Sequence, residues 1–161
     1  MTPGKIEVAE NSGVYVIKLS GDVRLNLCSA LESYLDNMFL DNDFEAVFVD
    51  LTDAEGVDST TLGLLAKISI VSQANFGFMP TIISPREDIL RILNSMGFDQ
   101  VFSIIDQVPA KISGLYELDC EPLDEEQMRE KVIAAHEILI SLNDKNKSTF
   151  QELVNCLHSK H

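Results

Sequence analysis

The chain has 161 residues, 45% hydrophobic and 24% charged, a composition that fits one globular domain, with or without an appendage, and excludes a disordered or fibrous protein. Twelve basic against 26 acidic residues leave a formal net charge of −14, and both parts of the chain are acidic (7 basic and 16 acidic in residues 1–116, 5 and 10 in 117–161). That excess argues against binding nucleic acid or docking on an anionic membrane, and points to proteins or neutral ligands as partners. Asn11-Ser12-Gly13 is a turn signal between Ile6–Ala9 and Val14–Leu19, so the chain is expected to open on a hairpin whose second strand stops at Ser20-Gly21. From Leu27 to Phe39 the apolar positions Leu27, Ala30, Leu31, Tyr34, Leu35, Met38 and Phe39 have the spacing of a helix with one buried face. Ala46–Leu51 is a short apolar run of the kind found in a central strand covered on both faces. A helix is predicted over Thr60–Asn75, a strand over Thr81–Ser84, a helix over Arg86–Met96 ended by Gly97, and a strand over Val101–Ile105.

The order β-β-α-β-α-β-α-β predicts an α/β sandwich with a mixed, mostly parallel sheet and an antiparallel hairpin at its edge. Pro109 and Pro122 bracket a weaker stretch in which one short helix is predicted around Ala110–Tyr116. Beyond Pro122 the pattern is helical only. Met128, Val132, Ala135, Leu139 and Leu142 step by 4, 3, 4 and 3, a heptad seam. Asn143-Asp144 punctuates it, and a second helix is predicted from Ser148, where Ser148 and Gln151 fit a capping box ahead of Phe150, Leu153, Val154 and Leu157. The expected organisation is a sheet domain over 1–116 and a C-terminal helical hairpin over 117–161. Its plain role is to pack on the sheet domain. The doubled apolar content at Val132-Ile133 and Ile138-Leu139-Ile140 exceeds one seam, and its sharper reading is a homodimer formed through these helices.

Cys28, Cys120 and Cys156 are odd in number and widely spaced, which gives neither a disulfide framework nor a zinc pattern. The segment MTPGKIEVAE has charge where a secretory peptide would be apolar, and no apolar run reaches membrane-spanning length, so a cytoplasmic location is expected.

The most informative stretch is Val49 to Gly63, where a buried strand runs into a loop that delivers Ser59, Thr60 and Thr61 at the first turn of a helix. Helix N-termini present N–H groups and the positive end of the dipole, so a phosphate on Ser59 would find donors there. The plainer role is that Asp58 or Ser59 caps the helix. Asp58-Ser59-Thr60-Thr61-Leu62-Gly63, preceded by Val47-Phe48-Val49-Asp50-Leu51, resembles the Asp-Ser-Ser/Thr-Gly-Leu-Gly signature of STAS domains, the bacterial anti-sigma factor antagonists. Leu19-Ser20-Gly21-Asp22-Val23 is similar to that family's strand followed by Gly-Glu-Leu, and the element order matches its fold over residues 5–116.

The resemblance implies that Ser59 is phosphorylated by a serine kinase that doubles as the anti-sigma factor, and dephosphorylated by a metal-dependent serine phosphatase. It further implies that the unphosphorylated chain binds the kinase and frees a sigma factor, through a surface that includes Asp22, Arg24, Asp58, Thr60 and Thr61. Thr61 stands where the family usually has Gly, and Arg24 where many members have Asp. The other reading of the same family is a constitutive scaffold or binding subunit of a larger assembly, in which Ser59 only caps a helix.

Asp50, Asp53, Glu55 and Asp58 invite a different reading, a magnesium site at the carboxyl end of a parallel sheet. A phosphoryl-accepting receiver would also need an acidic pair after the first strand and a lysine after the last, where this chain has Asn11-Ser12-Gly13 and Asp106-Gln107. His158 and His161 lack ligand partners at useful spacing, and His136 reads as a packing or solvent residue of its helix. With no nucleophile elbow, Gly-rich phosphate loop or Cys/His pair, the chain is expected to be a binding regulator and not an enzyme, without a cofactor or a metal.

Overall fold

A computed structural model describes residues 2–108 and 112–159. Strands β1 (Lys5–Asn11) and β2 (Val14–Val23) form the expected hairpin. Ser12 and Gly13 both take positive φ (51° and 85°), the two-residue turn whose twist matches that of the strands. A 3-10 turn at Leu25–Leu27 leads into α1 (Cys28–Phe39), followed by β3 (Ala46–Asp50), β4 (Ala54–Val57) and α2 (Ser59–Val71). Helix α2 ends in a wider π turn at Ser72–Phe76, closed by left-handed Gly77. The chain continues through β5 (Thr81–Ile83), α3 (Glu87–Ser95), β6 (Ser103–Ile105), β7 (Tyr116–Glu117), α4 (Glu125–Leu142) and α5 (Asp144–His158).

The sheet order is β6-β5-β3-β2-β1-β7, with β4 paired to the end of β2. Pairings among β2, β3, β4, β5 and β6 are parallel, and only β1 runs antiparallel to its neighbours β2 and β7. Alternation sets the layers. Tyr15, Ile17 and Leu19 of β2 and Val47 and Val49 of β3 point into a core shared with Leu31 and Leu35 of α1, Leu62, Leu65 and Ile68 of α2, and Leu93 of α3. On the opposite face Val14, Val16 and Phe48 line an open groove of about 580 Å³.

Several boundaries differ from the sequence reading. Strand β2 does not stop at Ser20-Gly21. Gly21, at φ 72°, is a bulge at which β2 shifts register, leaves β3 and pairs with β4. Of the helix expected around Ala110–Tyr116, residues 110–111 lie outside the described residues, 112–115 are not helical, and Tyr116 is a strand residue opposite Val8. Helix α5 begins at Asp144, not Ser148. Its N-cap is Asn143, whose side chain accepts a hydrogen bond from the Asn146 N–H, and the capping box occurs instead at Asp124 and Gln127 ahead of α4.

The hairpin of α4 and α5 packs on the sheet domain, and Leu139 and Phe150 join the main core. Helix α4 lies between α2 and α5. Its Ala135, His136 and Leu139 are buried there, while Val132, Ile133, Ile138 and Ile140 stay half-buried.

Candidate functional site

The site lies at the start of α2. Its first link is the Gly21 bulge, which turns the end of β2 toward β4 and sets Asp22 opposite Gly56 and Val23 opposite Val57. Asp22 and Arg24 therefore lie beside the loop that leads into α2. Arg24 Nε reaches Asp22 Oδ2 at 2.8 Å, in an exposed ion pair.

Asp58 is the N-cap. Its Oδ1 accepts the Thr61 N–H at 2.8 Å, and its Oδ2 accepts the Leu25 N–H at 2.7 Å. One carboxylate thus fixes the start of α2 and fastens it to the segment entering α1. Ser59 is the first residue of α2 and is half-buried.

Thr60 and Thr61 point inward. Thr61 is 1% exposed and its Oγ1 lies 3.6 Å from Cys28 Sγ, so its side chain packs against α1. Thr60, also buried, lines a cavity of about 300 Å³ between α2 and α4, with Cys28, Leu64 and Ala135 among its other walls. Burial pushes the Cys28 thiol up to about 11.

The structure thus brings Asp22, Arg24, Asp58 and Ser59 together at one end of the molecule and turns Thr60 and Thr61 toward its interior.

Sequence reasoning missed His136. Its ring is 2% exposed, its Nε2 lies 2.8 Å from Ser59 Oγ, and its Nδ1 lies 2.7 Å from the Val132 carbonyl oxygen. A carbonyl only accepts, so Nδ1 donates to it, and in the neutral ring the Ser59 hydroxyl is then the donor to Nε2. Phe150 of α5 packs edge-on against the ring at 4.9 Å. The available signal was its neighbourhood, since His136 falls four residues after Val132 and three before Leu139, next to Ala135 of the seam.

The four loop acids disperse onto separate partners. Asp50 accepts from Thr52, Asp53 pairs with Lys18 at 2.9 Å, Glu55 accepts the Thr2 N–H, and Asp58 caps α2. Among the described residues no three His, Cys, Asp or Glu side chains gather as a metal site would require. His158 contacts Glu137 across the hairpin at 3.5 Å, and His161 lies outside the described residues. No helix among the described residues is long and apolar enough to cross a membrane.

Residues 5–110 match the model of the STAS domain family. A candidate anti-sigma factor antagonist of Thermotoga maritima is 27% identical over 95 residues, covering 58% of this chain and 83% of that protein. The anti-sigma-F factor antagonist RsfB of Mycobacterium tuberculosis is 27% identical over 112 residues, 68% of this chain and 88% of its own. Among solved structures, an anti-sigma factor antagonist from Mycobacterium paratuberculosis superposes with a TM-score of 0.53 at 24% identity, covering 66% of this chain and 88% of that one. The Thermotoga maritima protein superposes at 0.55 and 21% identity, over 63% and 86%. Strand β7 and helices α4 and α5 fall beyond the matched region, whereas β1 to β6, the Gly21 bulge and the serine at the head of α2 fall within it, and over that span the chain belongs to the STAS domain family.

Proposed function

We propose that the chain is an anti-sigma factor antagonist switched by phosphorylation of Ser59. In its unphosphorylated form it binds an anti-sigma factor that is also a serine kinase, and so frees a sigma factor; a metal-dependent phosphatase resets it. It acts by binding and catalyses nothing, and its place is the cytoplasm.

The observation that carries this reading is a half-buried serine at the first position of α2, beside a cap that leaves Ser59 Oγ uncommitted to the helix backbone and bonded to His136 Nε2. A phosphate there adds about 1.5 to 2 negative charges at the positive end of a helix, which tolerates them without refolding. A partner surface fitted to a neutral hydroxyl does not tolerate them. The exposed Asp22 and Arg24 pair beside Ser59 would supply the charged rim of the docking surface.

The test is intact mass and peptide mapping of the protein from its native host, joined to binding of the kinase by the full chain. Phosphate on Ser59 that a metal-dependent phosphatase removes, with binding kept by Ser59→Ala and weakened at least tenfold by Ser59→Asp, is the expected result. A chain that carries no phosphate under any growth condition, and whose two variants bind alike, is instead a constitutive binding module.

A further inference from the structure

Helices α2 and α4 meet backbone to backbone at Gly63, where an added Cβ would run into the Ala135 carbonyl oxygen. Beside that contact the small side chains of Ala134 and Ala135 do not fill the space in front of Leu64, and the cavity of about 300 Å³ is what remains between α1, α2 and α4. Its inner wall is buried, with Cys28, Thr60, Leu64 and Ala135, and its mouth is marked by Ile70, which is 40% exposed, and by exposed Ala134. At about 30 Å³ for each water-sized group, such a space takes a molecule of about ten non-hydrogen atoms.

The polar groups on the wall define what that molecule is. Thr60 is 5% exposed, and among the described residues its hydroxyl has no hydrogen-bond partner, so it is left for whatever occupies the cavity. Cys28 is uncharged, because burial holds its thiol up to about 11, and its Sγ already meets Thr61 Oγ1. The charges that border the cavity are matched where they stand, Lys131 by Glu32 and Lys67 by Asp36 at 3.9 Å. We infer that the cavity between α2 and α4 binds a small uncharged molecule that has an apolar body and one hydrogen-bonding group, with the Thr60 hydroxyl as its polar contact.

A medium-chain alcohol has this chemistry. A carboxylate of the same size does not, since its head would either enter the apolar wall without a counter-charge or take a lysine away from its acid. Helices α1 and α2 supply one side of the site and α4 the other, so the site exists only where the hairpin is docked. It does not depend on the reading of Ser59, although its polar contact is the next residue of the chain.

The test is a titration of the full chain with 1-octanol, followed through its methyl NMR signals. The expected result is saturable binding with a Kd of about 1 mM or tighter, with shifts at Leu64, Ile70, Val71 and Ile138 and none at Ile17 and Leu19 of the sheet core. Ala134→Phe, which fills the mouth from an exposed position, should weaken binding by about tenfold or more, and Thr60→Val, which removes one hydrogen bond, by about fivefold. Octanoate at about pH 8, where it is fully ionised, should bind about tenfold more weakly than the alcohol or worse. No saturation up to the solubility limit of 1-octanol, shifts centred away from the cavity, or an affinity that Ala134→Phe leaves unchanged overturns the site. Octanoate that binds as tightly as the alcohol overturns the uncharged class, and full affinity in Thr60→Val overturns the role of its hydroxyl. Should either variant fail to fold, the place of the shifts in the unaltered chain and the ratio of alcohol to carboxylate affinity decide.

Discussion

Asp58 does two jobs with one carboxylate, because its two oxygens hold N–H groups from different parts of the chain, Thr61 in α2 and Leu25 ahead of α1. Removing it costs a helix cap, about 1 kcal/mol, and leaves a part-buried Leu25 N–H without its partner at about 1 to 2 kcal/mol more. Asp58→Ala is therefore expected to lower stability by about 2 to 3 kcal/mol in equilibrium urea unfolding. Asp58→Asn, which can still accept at one position, should lose less. A loss of under about 0.5 kcal/mol for the alanine variant would mean that the clamp to Leu25 contributes nothing. The same geometry leaves the Ser59 hydroxyl free of the helix cap. Its neighbour caps the helix, so its own hydroxyl turns to His136.

At the scale of elements, Gly63 sets how closely α4 approaches α2. Alanine in a helix interior ordinarily gains up to about 1 kcal/mol over glycine. Here its Cβ would sit 2.2 Å from the Ala135 carbonyl oxygen, which reverses the sign. Gly63→Ala is expected to destabilise by about 1 to 3 kcal/mol, with exchange protection falling in α4 before β3. A stabilised variant would show that the hairpin rides higher than described. How readable each element was from sequence follows from the same packing. Helix α1 announces itself because Leu31, Leu35 and Met38 all face one core. Strands β4 and β7 do not, since Ala-Glu-Gly-Val and Tyr-Glu are too short and polar to alternate, and they exist because β2 and β1 offer edges to pair with. The start of α5 was hidden in Asp144-Lys145-Asn146-Lys147, which reads as a loop until Asn146 is seen buried between the Met96 and Leu139 carbonyls. The place of Ser59 at the head of α2 was legible because a strand, an acidic loop and a hydroxyl cluster before an apolar run form a local pattern. Its bond to a histidine 77 positions away is tertiary, and no local pattern encodes it.

For the whole molecule, a net charge of −14 with both parts acidic means that the hairpin docks against net repulsion and is held by apolar burial and a few specific bonds such as Lys131 to Glu32. Salt screens that repulsion, with a Debye length of about 10 Å at 0.1 M. Raising sodium chloride from about 20 to about 300 mM should therefore raise the melting temperature by a few degrees in a thermal scan, and a fall would mean that specific ion pairs outweigh the net charge. The position of α4 in the chain has a consequence in time as well. Ribosomes add about 5 to 20 residues per second, so residues 117–161 follow the sheet residues by about 2 to 9 seconds. For those seconds α2 has no α4 beside it, and the Ser59 hydroxyl stands in solvent without the imidazole that later holds it.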